Sequence, residues 1–151
     1  MSDQIQDIIQ NKKARFEYEI LETFEVGIVL AGTEVKSIRN KKVSIIDAWA
    51  KIRDGEAWLV GMNVALYEMG NRFNHDPERE RKLLLHRQEI KRLTGKLKEK
   101  GLTLIALKVY FKNGKVKLLL GLAKGKAQYD KRKTIQKREA DREMQRTMKY
   151  R

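Results

Sequence analysis

The stretch "LTLIALKVYFKNGKVKLLLGLA", residues 102–123, decides the fold that we expect for this chain. Two apolar runs flank Asn113-Gly114, and this dipeptide readily adopts the positive φ angles that a tight hairpin turn requires. A second stretch, "AWAKIRDGEAWLVG" at residues 48–61, carries the same signal at Asp54-Gly55. The two stretches predict two antiparallel hairpins, and therefore a sheet built from strands that are close in sequence.

Two further strands are expected in the N-terminal part of the chain. In "ARFEYEIL", residues 14–21, the apolar side chains of Phe16, Tyr18 and Ile20 recur with a period of two, which is typical of a half-buried strand. "FEVGIVLAG", residues 24–32, reads as a second apolar strand. The glycine inside it, Gly27, indicates a bulge or a close approach of another segment.

Two short helices are predicted outside these strands. The first lies in "TEVKSIRNKK", residues 33–42, with Thr33 as its cap and with Val35 and Ile38 facing inward. The second begins at His86, with Glu89 in the capping-box position. Its apolar stripe and its stop are formed by Ile90, Leu93, Leu97 and Gly101.

The segment before the second helix leaves two alternatives. Asp76-Pro77 is able to open a helix, whereas the three consecutive leucines at residues 83–85 do not follow a helical face. We prefer an extended "RKLLL" at residues 81–85. Many short strands, two tight hairpins and one well-patterned helix together indicate a mainly β protein folded as a small antiparallel barrel.

The chain is strongly basic, with 34 Lys and Arg against 20 Asp and Glu and a net charge of +14. Residues 124–151 hold 11 basic and 4 acidic residues, a net +7, so the body and the tail are both cationic. This charge favours polyanions, with nucleic acid as the leading partner and an anionic membrane surface as the second. The absence of Cys excludes disulfides and thiolate metal sites, and fits a reducing cytosol.

No apolar run approaches the roughly 20 residues needed to span a bilayer, and the N-terminus lacks the pattern of a secretory signal. Two His residues offer little material for a metal centre or for His-dependent catalysis. We therefore expect a cytoplasmic binding protein that is not an enzyme, needs no cofactor and has no membrane partner.

The last part of the chain has almost nothing to bury. From residue 130 onward its larger apolar side chains are only Ile135, Met144, Met148 and Tyr150, too few to offset an ordering cost of roughly 1–2 kcal/mol per residue. Its composition nevertheless favours helix. We expect a tail that is disordered when free and becomes helical on a partner that neutralises its charge. The predicted organisation is an N-terminal extension at 1–10, an RNA-binding barrel at 11–127 and the basic tail at 128–151.

Several basic stretches are candidate RNA contacts, each with a plainer alternative. In "AKGKAQYDKR", residues 123–132, Gly125 lets backbone approach a phosphate and Tyr129 offers a ring for an unpaired base, but a solvated charge run has the same composition. "NKKAR", residues 11–15, is either a phosphate contact or an ordinary polar terminus. The cations of the first helix and the loop after it fit either a phosphate surface or a solvated face: Lys36, Arg39, Lys41 and Lys42.

Other singled-out residues also leave two interpretations. Glu25 suits acceptance from base amino groups or retention of an Arg, and equally a structural ion pair. His75-Asp76 resembles part of a metal-dependent phosphohydrolase site, but a turn stabilised by Asp76 is the favoured interpretation. Trp49 and Trp58 flank the first hairpin and are expected in the core, with an exposed stacking role as the alternative. The sequence contains no phosphate-binding glycine loop and no nucleophile beside a base.

Three segments resemble one family: "NKKARFEYEILETFEVGIVLAGTEVKSIR" at 11–39, "GNRFNHDPERERKLLLHRQEI" at 70–90 and "GLAKGKAQYDKR" at 121–132. It is the family of the SsrA-binding protein, or small protein B, and the resemblance runs from about Asn11 to the C-terminus. It implies an OB-like barrel with short flanking helices and a tail disordered in the free protein. Phe16 departs from the family, which often has His there, and its phenyl ring does not offer the polar contact to RNA that an imidazole does.

The resemblance also implies a function. Members bind the tRNA-like domain of transfer-messenger RNA (tmRNA) and deliver it to stalled ribosomes for trans-translation, while the tail occupies the 30S decoding centre and the empty mRNA channel. Elongation factor Tu and alanyl-tRNA synthetase are indirect partners. The alternatives are a ribosomal or RNA-chaperone protein with shape-general contacts, and a nuclease built on His75 and Asp76.

Residue by residue, the family's RNA-binding glutamate, its leucine and its basic strand residue after the second hairpin correspond to Glu25, Leu84 and Lys117. The residues selected as contacts to tmRNA are Asn11, Lys12, Lys13, Arg15, Glu25, Lys36, Arg39, Leu84, His86, Lys117, Lys124, Gly125 and Lys126. The residues selected as contacts to the ribosome are Tyr129, Asp130, Lys131, Arg132, Arg138, Arg142, Arg146 and Met148. The tail varies within the family, so Arg146 and Met148 carry over less directly.

Overall fold

The computed structural model of this chain describes residues 3–70, 74–99, 101–126 and 142. Within them, strands dominate and the helices are short. The elements in chain order are β1 (Ile5–Gln10), α1 (Lys12–Glu17), β2 (Tyr18–Ile28), α2 (Gly32–Arg39), β3 (Val43–Ser44), β4 (Trp49–Arg53), β5 (Glu56–Val60), β6 (Asn63–Val64), β7 (Arg81–Leu84), α3 (Arg87–Leu97), β8 (Leu102–Lys112) and β9 (Lys115–Gly125).

The main sheet is antiparallel throughout and closes on itself. Its strand order is β1-β8-β4-β5-β7-β2-β9, and β8 pairs with β9 as well. The last strand in this order is therefore hydrogen-bonded to the second, which closes the sheet. Strand β9 occupies one edge of β8. The other edge is shared by β4, which pairs with residues 104 and 105, and by β1, which pairs with residues 108–112. Strands β3 and β6 form a separate small ladder. The predicted mainly β fold with short flanking helices is confirmed.

Both predicted hairpins are confirmed. Asn113 and Gly114 have φ angles of 51° and 79° between β8 and β9, and Asp54 and Gly55 have φ angles of 53° and 74° between β4 and β5. Two consecutive positive φ angles are the signature of the primed turn whose twist matches the flanking strands. The long hairpin therefore forms from local signals, and β1, β2 and β4 pair directly onto its two strands.

The predicted strand across Phe16 is wrong, because residues 12–17 form helix α1 and β2 begins only at Tyr18. The buried side chain of Asn11 anchors this helix: its Oδ1 accepts from the Ala14 N–H at 3.1 Å, and its Nδ2 donates to the carbonyl oxygens of Ile45 and Ala106, each at 3.0 Å. The period-two pattern of apolar side chains predicted a strand here, but the hydrogen bonds of the Asn11 side chain, two of them to distant carbonyl oxygens, favour the helix.

Strand β2 is one continuous strand where two were predicted. Its irregularity lies between Ile20 and Glu22, so the bulge alternative for Gly27 is wrong. The close-approach alternative is confirmed, because a Cβ added at Gly27 would lie 3.2 Å from Cδ1 of Leu84. Residues 5–10 form β1 and pair with β8 in the main sheet. The sequence had predicted an N-terminal extension before the barrel at residues 1–10.

The helices cover the barrel as the apolar pattern predicts, but their caps differ. Ile38 of α2 and Leu93 of α3 are buried in the core. Residue Ala31, rather than Thr33, occupies the N-cap position of α2, and the Glu34 side chain accepts from its N–H at 2.8 Å. His86 is the N-cap of α3 but makes no side-chain hydrogen bond to it, so the capping box expected there is wrong.

The two tryptophans do not lie in the core, so that prediction is wrong. Trp49 is 42% exposed, and Trp58 is half-buried with the Arg53 guanidinium 5.1 Å from its ring centre. No helix among the described residues is long and apolar enough to cross a membrane.

A buried ion pair ties α2 to β7. The carboxylate of Glu34 and the guanidinium of Arg81 are both fully buried, with Arg81 Nε donating to Glu34 Oε2 at 2.5 Å. Arg81 also donates to the carbonyl oxygens of Met62 at 2.8 Å and Pro77 at 3.1 Å, while Arg79 contacts the same carboxylate. Burial alone would raise the pKa of Glu34, but the hydrogen bonds from Arg79, the Ala31 N–H and Arg81 outweigh it and hold the pKa below its usual value.

We expect Glu34→Gln to destabilise the fold by about 3–5 kcal/mol, because it leaves the Arg81 charge buried without its counter-ion. Urea unfolding followed by circular dichroism measures this. The matched control is Glu80→Gln, since Glu80 meets Lys51 and Arg53 in a solvent-accessible position, where exposed pairs contribute at most about 1 kcal/mol. Equal losses for the two variants would contradict the importance of the buried pair.

Candidate nucleic-acid interface

Three of the predicted RNA contacts lie on one outer face of the barrel. Gly27 of β2 pairs with Leu84 of β7 on one side and with Lys117 of β9 on the other, so the three residues form a row across three strands. Glu25 lies two residues before Gly27 and shares its face, because side chains alternate along a strand. We call Glu25, Gly27, Leu84 and Lys117 the row surface.

The row surface combines an apolar centre with flanking charge. Leu84 is 55% exposed, which is unusual for a leucine beside a core strand, and Gly27 leaves room for its side chain. A cleft of about 280 Å³ opens here, lined by Gly27, Leu84 and Lys117 together with Leu30, Val35 and the turn at Gly114. An exposed leucine beside a lysine offers a ribose or base contact next to a phosphate contact.

Glu25 is held by two partners that were not predicted from the sequence. Tyr110 donates to its Oε2 at 2.5 Å and Lys112 to its Oε1 at 3.0 Å. The hydrogen bond from Tyr110 lowers the pKa of Glu25 most, and Lys112 and Lys117 lower it further against the opposing effect of burial. Burial and the Glu25 charge raise the pKa of Tyr110, so this hydroxyl stays a donor. Glu25 is therefore an ionised carboxylate in a fixed orientation.

The signal for these partners lies in the hairpin register. Tyr110 pairs with Lys117 across the β8–β9 hairpin, and Leu119 two residues further on pairs with Glu25. Once the Asn113-Gly114 turn is assigned, the first pairing follows by counting from the turn. The second requires the β2–β9 register, which no local pattern supplies.

A second basic group surrounds the end of β9, where the tail begins. Lys124 and Gly125 pair with Glu19 and Tyr18 of β2, and the Lys126 N–H donates to the Glu17 carbonyl oxygen at 3.0 Å. The cations of α1 lie on the same side of the barrel, and all three are exposed: Lys12, Lys13 and Arg15. This basic group therefore lies beside the start of β2, whereas Leu84 pairs with a residue near the end of the same strand.

Asn11 does not belong to this surface. Its side chain is only 3% exposed, and both ends of its amide hydrogen-bond within the fold. The expected RNA contact at Asn11 is therefore wrong, because this residue anchors α1.

The remaining predicted barrel contacts are scattered around the row surface. Lys36 and Arg39 are exposed on α2, where they lie over the rings of Tyr67 and Phe111 at 5.2 and 5.4 Å from the ring centres. His86 is exposed at the start of α3, two residues after Leu84. Arg142 is exposed. The other predicted tail contacts lie outside the described residues: Tyr129, Asp130, Lys131, Arg132, Arg138, Arg146 and Met148.

His75 is used inside the fold. Its Nε2 donates to the Val64 carbonyl oxygen at 2.9 Å, because a carbonyl only accepts, and its Nδ1 therefore accepts from the Thr33 hydroxyl at 2.8 Å. Asp76 accepts from the Glu78 N–H at 3.0 Å, which is the turn that the sequence favoured. Among the described residues, no three His, Cys, Asp or Glu side chains are grouped to hold a metal ion.

Comparison with known proteins places this chain in a family. The family model described as SmpB protein matches residues 8–150. The SsrA-binding protein of Thermosynechococcus vestitus is 56% identical over the whole of both chains, and that of Desulforudis audaxviator is 60% identical over 92% of this chain and 91% of its own. A solved chain from work on tmRNA-SmpB and the bacterial ribosome is 49% identical with a TM-score of 0.68, covering 85% of this chain and 94% of its own. This chain belongs to the SmpB protein family.

Proposed function

We propose that this protein is an RNA-binding adaptor of trans-translation, which binds tmRNA and carries it to stalled ribosomes. The observation that carries the proposal is the row surface, where the register brings Glu25, Leu84 and Lys117 together on one exposed face. Its relatives are SsrA-binding proteins, and the solved neighbour concerns tmRNA-SmpB on the bacterial ribosome.

Within this role the barrel binds the tRNA-like domain of tmRNA. Lysines such as Lys117 and Lys124 neutralise backbone phosphates, which supplies affinity without reading sequence. Leu84 supplies an apolar contact at a fixed point of the row, and Glu25 is preset to accept a hydrogen bond from RNA. Recognition is therefore by the shape of a folded RNA rather than by base sequence.

The tail, residues 128–151, enters the decoding centre of the 30S subunit and the empty mRNA channel. Its basic residues include three that are consecutive in sequence, Lys131, Arg132 and Lys133, and these charges neutralise ribosomal phosphates. Elongation factor Tu and alanyl-tRNA synthetase act on the same RNA in the cytoplasm and supply the chemistry. The adaptor itself requires no cofactor.

Competition binding tests the proposal against an RNA chaperone. A labelled tRNA-like domain should be displaced by unlabelled tmRNA at concentrations at which bulk tRNA has little effect, in buffer of physiological salt. Equal displacement by both competitors would instead indicate an RNA chaperone that binds folded RNAs without distinguishing tmRNA from tRNA.

Truncation after Gln128 should separate the two roles. Binding of tmRNA, measured by filter binding, should remain within about twofold, because the row surface and its phosphate contacts stay in place. Tagging of peptides on ribosomes stalled at a truncated message should be abolished. A large drop in tmRNA affinity would contradict this division between barrel and tail.

Replacing Lys117 or Lys124 by Ala should weaken tmRNA binding and reduce the slope of log K against log salt by about one for each lysine–phosphate interaction removed. Lys51→Ala is the matched control, because Lys51 lies on β4 and already pairs with Glu80 at 2.9 Å. A slope that stays constant in the two test variants would show that neither lysine touches the backbone.

A further inference from the structure

One flank of helix α3 carries a line of exposed cations that the row surface does not include. Its members are Arg87 and Lys91 in the helix and Lys98 at its C-cap. At 3.6 residues per turn, the three side chains lie within about 40° of one another around the helix axis. The rise of 1.5 Å per residue spreads them over about 16 Å along that axis. We call these three residues the α3 stripe.

The charge of the α3 stripe is not neutralised within the fold, whereas the cations on the other flank of the helix are paired. On that other flank, Arg92 donates to both carboxylate oxygens of Glu22, at 2.9 and 2.8 Å, and Lys96 lies 3.7 Å from Glu99. Within the described ranges, no side chain of the stripe forms an ion pair or a hydrogen bond. Its positive charge is therefore left for an external anion.

Two residues of this flank make the helix less stable rather than more stable. Arg87 is the first helical residue, where the positive end of the helix dipole disfavours a cation. Gly95 lies one turn after Lys91, and glycine is the least favourable residue in a helix apart from proline. A Cβ added at Gly95 would meet no atom of the described residues within 4 Å, so packing does not require the glycine. A bulky anion lying against this flank accounts for both residues.

The α3 stripe begins beside the row surface. Leu84 ends β7, His86 is the N-cap of α3, and Arg87 follows directly. From there the helix runs beside β2, because its Arg92 is paired to a glutamate of that strand. An RNA chain that contacts Leu84 can therefore continue along the stripe without leaving the surface of the protein.

We propose that the α3 stripe is a second phosphate-binding surface for tmRNA, which extends the row surface along the side of the barrel. Arg87, Lys91 and Lys98 contact phosphates of one continuous stretch, and the bare helix surface at Gly95 lets the backbone of the RNA approach closely. Helix α3 contains no aromatic residue, so this surface binds phosphates and does not stack on bases. The inference rests on the proposed function, and it commits to tmRNA because the stripe begins three residues after Leu84.

The salt dependence of tmRNA binding by full-length variants tests the proposal. The triple variant Arg87→Gln, Lys91→Gln, Lys98→Gln should bind tmRNA about tenfold more weakly at physiological salt. The slope of log K against log salt should fall by about two to three, because three phosphate contacts are removed.

The charge-matched control is the triple variant Lys51→Gln, Arg53→Gln, Lys96→Gln. It lowers the net charge by the same amount, but each of these cations already pairs with a carboxylate. Its slope should change by less than about one, since no phosphate contact is lost. Equal changes of slope in the two triple variants would show that only the net charge matters, and would overturn the proposal.

Gly95→Gln gives a measurement that a purely structural role would not reproduce. Glutamine favours helix over glycine, so the Tm should rise, while the longer side chain lies in the path of the RNA and weakens tmRNA binding severalfold. Gly95→Ala should also raise the Tm but keep the tmRNA affinity within about twofold, because a methyl group is short. Unchanged tmRNA binding by Gly95→Gln would contradict the close approach.

Parallel binding to purified 70S ribosomes identifies the RNA that the stripe contacts. If the stripe variant loses affinity for ribosomes but not for tmRNA, or for neither, the proposal is overturned while the adaptor role stands. In hydroxyl-radical footprints of tmRNA, the positions that lose protection in this variant should adjoin those that lose it in Leu84→Ala, and separate positions would contradict a continuous path. The adaptor role itself fails only if the unmodified protein does not prefer tmRNA over bulk tRNA.

Discussion

The buried pair of Glu34 and Arg81 is the constraint on which the arrangement of this protein depends. An ionised carboxylate and a guanidinium are costly to bury, so they persist only where their geometry is fully satisfied. Here the carboxylate meets Arg79, Arg81 and the Ala31 N–H, and the guanidinium reaches the Met62 and Pro77 carbonyl oxygens. The cluster therefore fixes α2, β7 and the connection between β6 and β7 relative to one another.

That constraint reaches the proposed RNA surface through β7. This strand pairs with β2 only at Gly27 and Ile28, whereas β9 pairs with β2 over most of its length. The row surface thus lies where two neighbouring strands of the barrel share few backbone hydrogen bonds, and the anchored Arg81 holds the strand that ends in Leu84. Gly27 keeps the two strands in relaxed contact here, since a Cβ at this position would lie 3.2 Å from Cδ1 of Leu84 and the leucine side chain would have to shift.

Structural features that depend on residues close in sequence could be predicted, whereas features that depend on contacts between distant residues could not. The dipeptides Asn113-Gly114 and Asp54-Gly55 determine their turns locally, so both hairpins could be predicted. Helix α1 could not, because Asn11 forms it by bonding to carbonyl oxygens 34 and 95 residues away. Of the proposed tmRNA site, Glu25, Leu84 and Lys117 came from the family resemblance. Tyr110, 85 residues from Glu25, required the register of three strands.

Strand β2 determines the spacing between the row surface and the root of the tail. Tyr18 at its start lies beside the root of the tail, and Gly27 near its end lies in the row surface. Because β2 is hydrogen-bonded to β9 from Tyr18 to Gly27, with one irregularity after Ile20, the strand acts as a stiff element between them. An adaptor that brings one RNA to another needs a defined distance and orientation between its two binding surfaces. Strand register provides both between the row surface and the root of the tail.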